Sequence, residues 1–227
     1  NESGFKVTGL DAVARAGLPF ATQVVNLADA SALRPFLTSS DAVVSCLPFH
    51  LNIALSKEAH AAGIHYFDLT EDVATTDQIR ELAKTSKGLM APQCGLAPGF
   101  IGIVGADLAK KFDRLRSIEL KVGALPKHPR GKLGYAFNWS PEGVINEYIN
   151  DCEVIRMGHR QMVPALEGYE VVVINGVQLE AATTSGGLGT MCETYEGKVE
   201  TLHYKTMRYL GHFEHIKFLF QELRLQD

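Results

Sequence analysis

Three groups of side chains in this 227-residue chain have types and spacings that suit chemistry better than packing. The first is Thr70-Glu71-Asp72, a hydroxyl and two carboxylates closing an apolar run that begins at His65. Such groups can hold an ammonium or an amide, and a carboxylate among them can accept a proton. The second is Cys94-Gly95, which opens Cys94-Gly-Leu-Ala-Pro-Gly99, where glycines on both sides of Pro98 let the backbone approach a ligand closely. No neighbour in sequence would lower the Cys94 pKa, so Cys94 is read as lining a site rather than attacking a substrate. The third group is Lys205, Arg208 and His212. Arginine grips a carboxylate through two parallel hydrogen bonds. His212, at the start of an expected helix, is kept neutral by the helix dipole, as a general base requires. Lys205 and Arg208 have odd separation on an expected strand and so face opposite sides, which leaves at most one of them to meet a substrate.

The elements that must position these groups are legible in the first half. Asp41–Pro48, His65–Glu71 and Leu89–Gly99 each contain a short apolar run, and helix-period segments separate them. That alternation predicts parallel strands of a doubly wound sheet, whose ligands bind outside the carboxyl ends of the strands. Phe5–Leu10 reads as a strand ending at Asp11, and Val24–Leu27 as another, followed by Asp29 and a helix over 30–37. Ser45, Leu47 and Pro48 end the Asp41 run and should border the site, whereas Cys46 alternates away and is expected to be a buried thiol. A helix over 51–62 should stop at Gly63. The capping-box spacing Thr75-Thr-Asp-Gln78 should open another helix, running to about Lys87.

The texture changes near Arg114. Ser117–Ala124, Leu133–Trp139 and Val199–Tyr209 read as strands, and hairpins are expected through Met157-Gly158 and Asn175-Gly176. Ser140-Pro141 has the form of a helix N-cap followed by proline at the first helical position. The final helix should run from His212 to about Leu223. The fold class is therefore α/β: a truncated doubly wound, Rossmann-like parallel sheet over 1–114, then an α+β substrate and dimerisation domain over 115–227 with a mixed, mostly antiparallel sheet.

Composition narrows the partners. A net charge of −4 gives no reason to expect nucleic acid or an anionic membrane surface. Cys46, Cys94, Cys152 and Cys192 lie far apart with no C-x-x-C pair, so neither a disulfide framework nor a metal site is expected, and a cytoplasmic location fits. The longest nearly apolar stretch, Leu96–Ala106, is far short of the ~18 residues of a membrane span.

A dinucleotide fold needs a glycine-rich turn after its first strand, and no G-x-G-x-x-G precedes Asp11. The first strand and its turn are therefore expected upstream of Asn1. Asp11 would then end the second strand, accept hydrogen bonds from the adenosine ribose and repel a 2′-phosphate. That favours NAD, with NADP possible through Arg15. Asp29, Ser45, Leu47, Pro48, Cys94 and Gly95 complete the expected cofactor-binding set.

Five segments carry a resemblance: Ser45-Cys-Leu-Pro48, Asp68-Leu-Thr-Glu71, Cys94–Gly99, Ser185-Gly-Gly-Leu-Gly189 and Tyr204-Lys-Thr-Met-Arg-Tyr-Leu-Gly-His212. Together, in this order, they resemble the saccharopine dehydrogenase-like oxidoreductases, in the branch that includes lysine 6-dehydrogenase. The resemblance implies NAD(P)-linked chemistry at a carbon–nitrogen bond of an amino acid related to lysine. In that setting His212, Glu71 and Thr70 are the catalytic candidates, Lys205 and Arg208 the substrate-binding ones, and a homodimer through 115–210 is expected. A non-catalytic nucleotide-binding module and a reductive condensing enzyme of polyamine synthesis stand as the alternatives.

Overall fold

Strand and helix alternate from the first described residues onward. The computed structural model describes residues 6–14, 16–137 and 140–225. Two compact units divide after Pro92.

In the first unit, β1 (Thr8–Asp11) pairs in parallel with β2 (Ala21–Val24), followed by α1 (Ala30–Leu37). A second parallel ladder runs β3 (Ala42–Ser45), β4 (His65–Asp68) and β5 (Met90–Ala91), with α2 (Phe49–Ala62) and α3 (Val73–Ala83) as the crossovers. The two ladders are separate sheets, one of two strands and one of three. Leu33, Leu37, Leu55, Ala59, Ile64, Tyr66, Ile79 and Met90 form the core between strands and helices. Full burial of each Leu or Ile contributes roughly 1.5–3 kcal/mol.

Local chemistry moves some boundaries. Gly63 takes a left-handed conformation at φ 73° and ends α2 as expected, because a side chain there would be strained. α3 opens three residues earlier than its capping-box spacing predicts. Asp72 is the N-cap, its carboxylate accepting from the Thr75 amide at 2.7 Å, and the helix stops at Ala83. The second strand lies at Ala21–Val24 rather than 24–27.

The second unit begins with the turn at 93–99 and α4 (Phe100–Ala109), then β6 (Ser117–Val122), α5 (Pro141–Ile149), β7 (Cys152–Arg156), β8 (His159–Val163), β9 (Glu170–Ile174), β10 (Val177–Thr183), α6 (Met191–Tyr195), β11 (Thr201–Tyr209) and α7 (His212–Lys217). A π-helical turn, Phe218–Glu222, continues α7. The sheet order is β8-β7-β11-β10-β9, antiparallel throughout, with β6 joining β11 in parallel. Both predicted hairpins form, with Met157 at φ 52° and Asn175 at φ 50° leading their glycines. No strand forms over Leu133–Phe137, and the remaining two residues of that predicted strand, Asn138 and Trp139, lie outside the described residues.

The boundary near 114 is corrected by packing. A Cβ on Gly105 of α4 would stand 3.0 Å from Leu120, and Ala109 joins the core of Ile118, Leu120, Leu188, Met191, Leu202 and Tyr204. α4 thus belongs with the mixed sheet. Gly187 shows a similar constraint, because any Cβ there would sit 2.4 Å from the Tyr204 ring. Only glycine allows that approach.

Candidate functional site

In the first unit, the polar residues expected to face a ligand gather at the carboxyl ends of the parallel strands, but several are bound up in the protein's own structure. Asp11 ends β1, and its Oδ1 accepts from the Val13 amide at 3.1 Å. Asp29 is the N-cap of α1. Its carboxylate takes the Ser31 amide and hydroxyl, which hold its pKa below the usual range. A cofactor role for Asp29 is corrected accordingly, since capping is where its carboxylate is engaged. Buried Ser45 donates to Asn52 Oδ1 at 2.7 Å and ties β3 to α2. Leu47 is half-buried, and Pro48 stands exposed at the N-cap position of α2. Cys46 is exposed, not the buried thiol expected: alternation carried it away from the buried side occupied by Ser45, and that other side is open.

At the end of β4, Tyr66 donates to Asp68 at 2.8 Å, and Asp68 accepts from the Thr70 amide at 3.0 Å. Thr70 is buried, and its hydroxyl accepts from the Asp72 amide at 3.1 Å. This turn presents Glu71. Burial, and to a lesser degree the neighbouring Asp72 and Asp68 charges, push the Glu71 carboxyl above its ordinary range. A half-buried carboxyl with a raised pKa suits proton transfer.

The second unit holds the more distinctive arrangement. Arg208 on β11 is 3% exposed, and no carboxylate among the described residues forms an ion pair with it. Its Nε donates to the Tyr148 hydroxyl at 2.8 Å and its Nη1 to the Met207 carbonyl at 2.9 Å. The guanidinium carbon lies 4.3 Å from the centre of the Tyr135 ring. The Tyr148 oxygen lies 3.0 Å from His212 Nε2, and His212 Nδ1 lies 2.9 Å from the Leu133 carbonyl. A carbonyl only accepts, so Nδ1 carries the proton, Nε2 accepts from Tyr148, and Tyr148 accepts from Arg208. The chain of bonds has one direction and fixes the guanidinium in place.

That geometry corrects His212 as general base. The ring is 1% exposed, with both nitrogens engaged. Burial, opposed by the bond to Leu133 and aided by the Arg208 charge, lowers its pKa to about 4. It is neutral, as expected, yet it offers no lone pair to a substrate. Lys205 is corrected as well. Facing the opposite side from Arg208, its ammonium donates to the Gly168 carbonyl at 2.6 Å and to Glu170 at 2.9 Å. Glu170 also pairs with Lys121 at 3.2 Å, so Lys205 is held in a structural charge network.

Desolvating an isolated guanidinium costs several kcal/mol, and a cation–π contact returns about 1–2 kcal/mol. The two neutral acceptors offset a further part. The planar fork suits a carboxylate, which it would hold through two parallel hydrogen bonds.

Two of the sequence segments meet within the second unit. Gln93 has φ 63°, and a Cβ on Gly189 would lie 3.3 Å from its Oε1 and 3.4 Å from Pro98. The Cys94–Gly99 turn therefore packs on the Ser185–Gly189 loop. Cys94 is exposed, and Gly95 accepts from the Phe100 amide at 2.8 Å. Both belong to the second unit.

Sequence reasoning missed Tyr135, Tyr148 and Glu180. Glu180 is buried on β10 opposite Arg208, and its carboxylate accepts from the Phe213 amide at 2.6 Å, the Gly211 amide at 3.0 Å and the Tyr169 hydroxyl at 3.2 Å. It caps the start of α7 and so seats His212. An acidic residue inside the apolar strand Val177–Thr183 was the available signal. Among the described residues no group of three His, Cys, Asp or Glu side chains is placed to hold a metal, and no helix is long and apolar enough to cross a membrane.

A Rossmann-like parallel unit followed by a unit built on a mixed, mostly antiparallel sheet defines the class as α/β with a dinucleotide-type fold. Residues 4–91 match the model of the saccharopine dehydrogenase NADP binding domain, and residues 95–227 that of the saccharopine dehydrogenase C-terminal domain. The chain belongs to the saccharopine dehydrogenase family. Its structure is similar to apo saccharopine dehydrogenase (L-Glu forming) from Saccharomyces cerevisiae, with 21% identity and a TM-score of 0.66 over 88% of this chain and 47% of that one. An oxidoreductase from Bacillus cereus is more distant, with 13% identity and a TM-score of 0.40 over 88% and 56%. The chain spans about half the length of these solved relatives. The first-unit match indicates a nicotinamide cofactor and favours NADP over the NAD expected from Asp11.

Proposed function

We propose that this chain is the core of an NAD(P)-dependent oxidoreductase acting on the CH–NH or CH–NH2 group of a lysine-related amino acid. The observation that carries the reading is Arg208, a buried guanidinium gripped on one side by Tyr148 and stacked on Tyr135, with no carboxylate ion-paired to it among the described residues. It calls for a carboxylate-bearing substrate. A diamine, as in polyamine synthesis, would bring a second cation to a site that already holds an unpaired one, so the condensing-enzyme alternative is disfavoured.

Each residue then has a separate task. Arg208 orients the substrate through its carboxylate, while Tyr148 and His212 hold the guanidinium. Glu71, at the carboxyl end of β4, has the raised pKa that suits a group accepting a proton. Asp11, at the carboxyl end of a parallel strand, suits the ribose hydroxyls of the cofactor. The nicotinamide, when bound, supplies the hydride chemistry. Water hydrolyses the resulting imine. The second unit is proposed to pair with its copy in a cytoplasmic homodimer, a reading supported by the exposed apolar residues Val171, Val173, Ile174 and Val177 of the β9–β10 hairpin.

The test is the absorbance of NADH and NADPH with the full-length protein challenged with L-lysine, saccharopine and cadaverine. Turnover is expected with an acid and not with cadaverine, with an acid limb in kcat above the ordinary carboxyl range. Turnover of cadaverine alone, or none with any amino acid, would overturn the proposal.

A further inference from the structure

Tyr135 presents an unusual pairing of states. The residue is 8% exposed, and its hydroxyl is buried with no hydrogen-bond partner. A buried hydroxyl without a partner destabilises the fold that holds it, and such orphans are rare enough to need a cause. The ring itself is well used. It lies under the Arg208 guanidinium at 4.3 Å and meets His212 edge-on at 5.8 Å. The unsatisfied oxygen therefore belongs to the same ring that supports the unpaired cation.

From this geometry we infer that the Tyr135 hydroxyl is a second donor to the substrate carboxylate held by Arg208, and so a determinant of selectivity for acids over amines. The inference rests on the reading of Arg208 as the substrate anchor. A carboxylate has about four acceptor positions, more than a single guanidinium edge fills, and a neutral O–H adds a directional bond beside it. Tyr135 stands in 133–137, which forms no strand, and Phe137 packs across it at 5.7 Å while remaining 47% exposed. Phe137, exposed and packed on the Tyr135 ring, is the neighbour that would have to move for a carboxylate oxygen to reach the hydroxyl. The ammonium end of a diamine offers no acceptor to either group.

Tyr135→Phe keeps the ring, its contact with Arg208 and its volume, and removes only the oxygen. Calorimetric titration of the full-length protein with saccharopine should show binding weakened about tenfold or more, the loss expected for one hydrogen bond to a charged group. The melting temperature of the free variant should be equal or higher, because the change removes an unsatisfied buried polar atom. A structural tyrosine would behave in the opposite way, with a lower melting temperature and unaltered affinity in the folded fraction. Arg208→Lys serves as the control. If Arg208→Lys weakens saccharopine binding and Tyr135→Phe does not, the inference about Tyr135 fails while the anchor stands. If neither variant weakens it, the anchor itself is wrong.

Discussion

Acidification should act on the stability of this protein through one buried ring. His212 is 1% exposed, and its pKa is lowered from 6.5 to about 4, chiefly by burial. In the unfolded chain the same imidazole takes up a proton at its ordinary value. The folded form therefore gains stability that is fully present above pH 6.5 and is lost as the pH falls toward about 4. At ~1.4 kcal/mol for each pH unit, that interval corresponds to about 3.5 kcal/mol. The physical cause is specific. A proton on Nε2 would reverse the bond from Tyr148 and set a second cation beside Arg208. Urea unfolding of the full-length protein at steps from pH 7.5 to 4.5, compared with His212→Asn, separates the contribution of His212 from those of the carboxylates. The wild type should be the more stable at neutral pH, and its advantage should shrink through the stated window. A difference that stays constant with pH, or an imidazole NMR signal for His212 that titrates near 6.5, would refute the assignment.

Two further outcomes follow from the proposed roles. Asp11→Ser should weaken NADH binding and shift preference toward NADPH, because the carboxylate that accepts ribose hydroxyls also repels a 2′-phosphate. An unchanged cofactor ratio in fluorescence titration would remove Asp11 from the site. Light scattering on the full-length protein should give a dimer through 115–210, with Val171→Lys raising the monomer fraction by placing a charge on an edge strand. A monomer at every concentration would rule this out.

The parallel strands, both hairpins and the Gly63 stop were legible because each depends on local pattern or backbone permission. The start of α3 was not, because two caps compete within four residues and Asp72 reaches the Thr75 amide first. The boundary near 114 failed for a different reason. α4 follows a parallel strand in sequence, yet its small residues Gly105 and Ala109 fit the face of β6, a match that only packing reveals. Odd spacing separated Lys205 from Arg208 correctly, but it carried no information about which one lacked a counter-charge. His212 drew attention as a polar residue at a helix start. Its partners, Tyr148 and Leu133, lie 64 and 79 residues away in sequence, beyond any motif.

The central claim is that Arg208 anchors a substrate carboxylate. Steady-state kinetics of Arg208→Lys in the full-length protein, with saccharopine varied at saturating cofactor, tests it most directly. An ammonium cannot reproduce a two-point grip, so KM for the amino acid should rise tenfold or more, with kcat changed little and the cofactor KM unaltered. An unchanged KM for saccharopine would contradict the account.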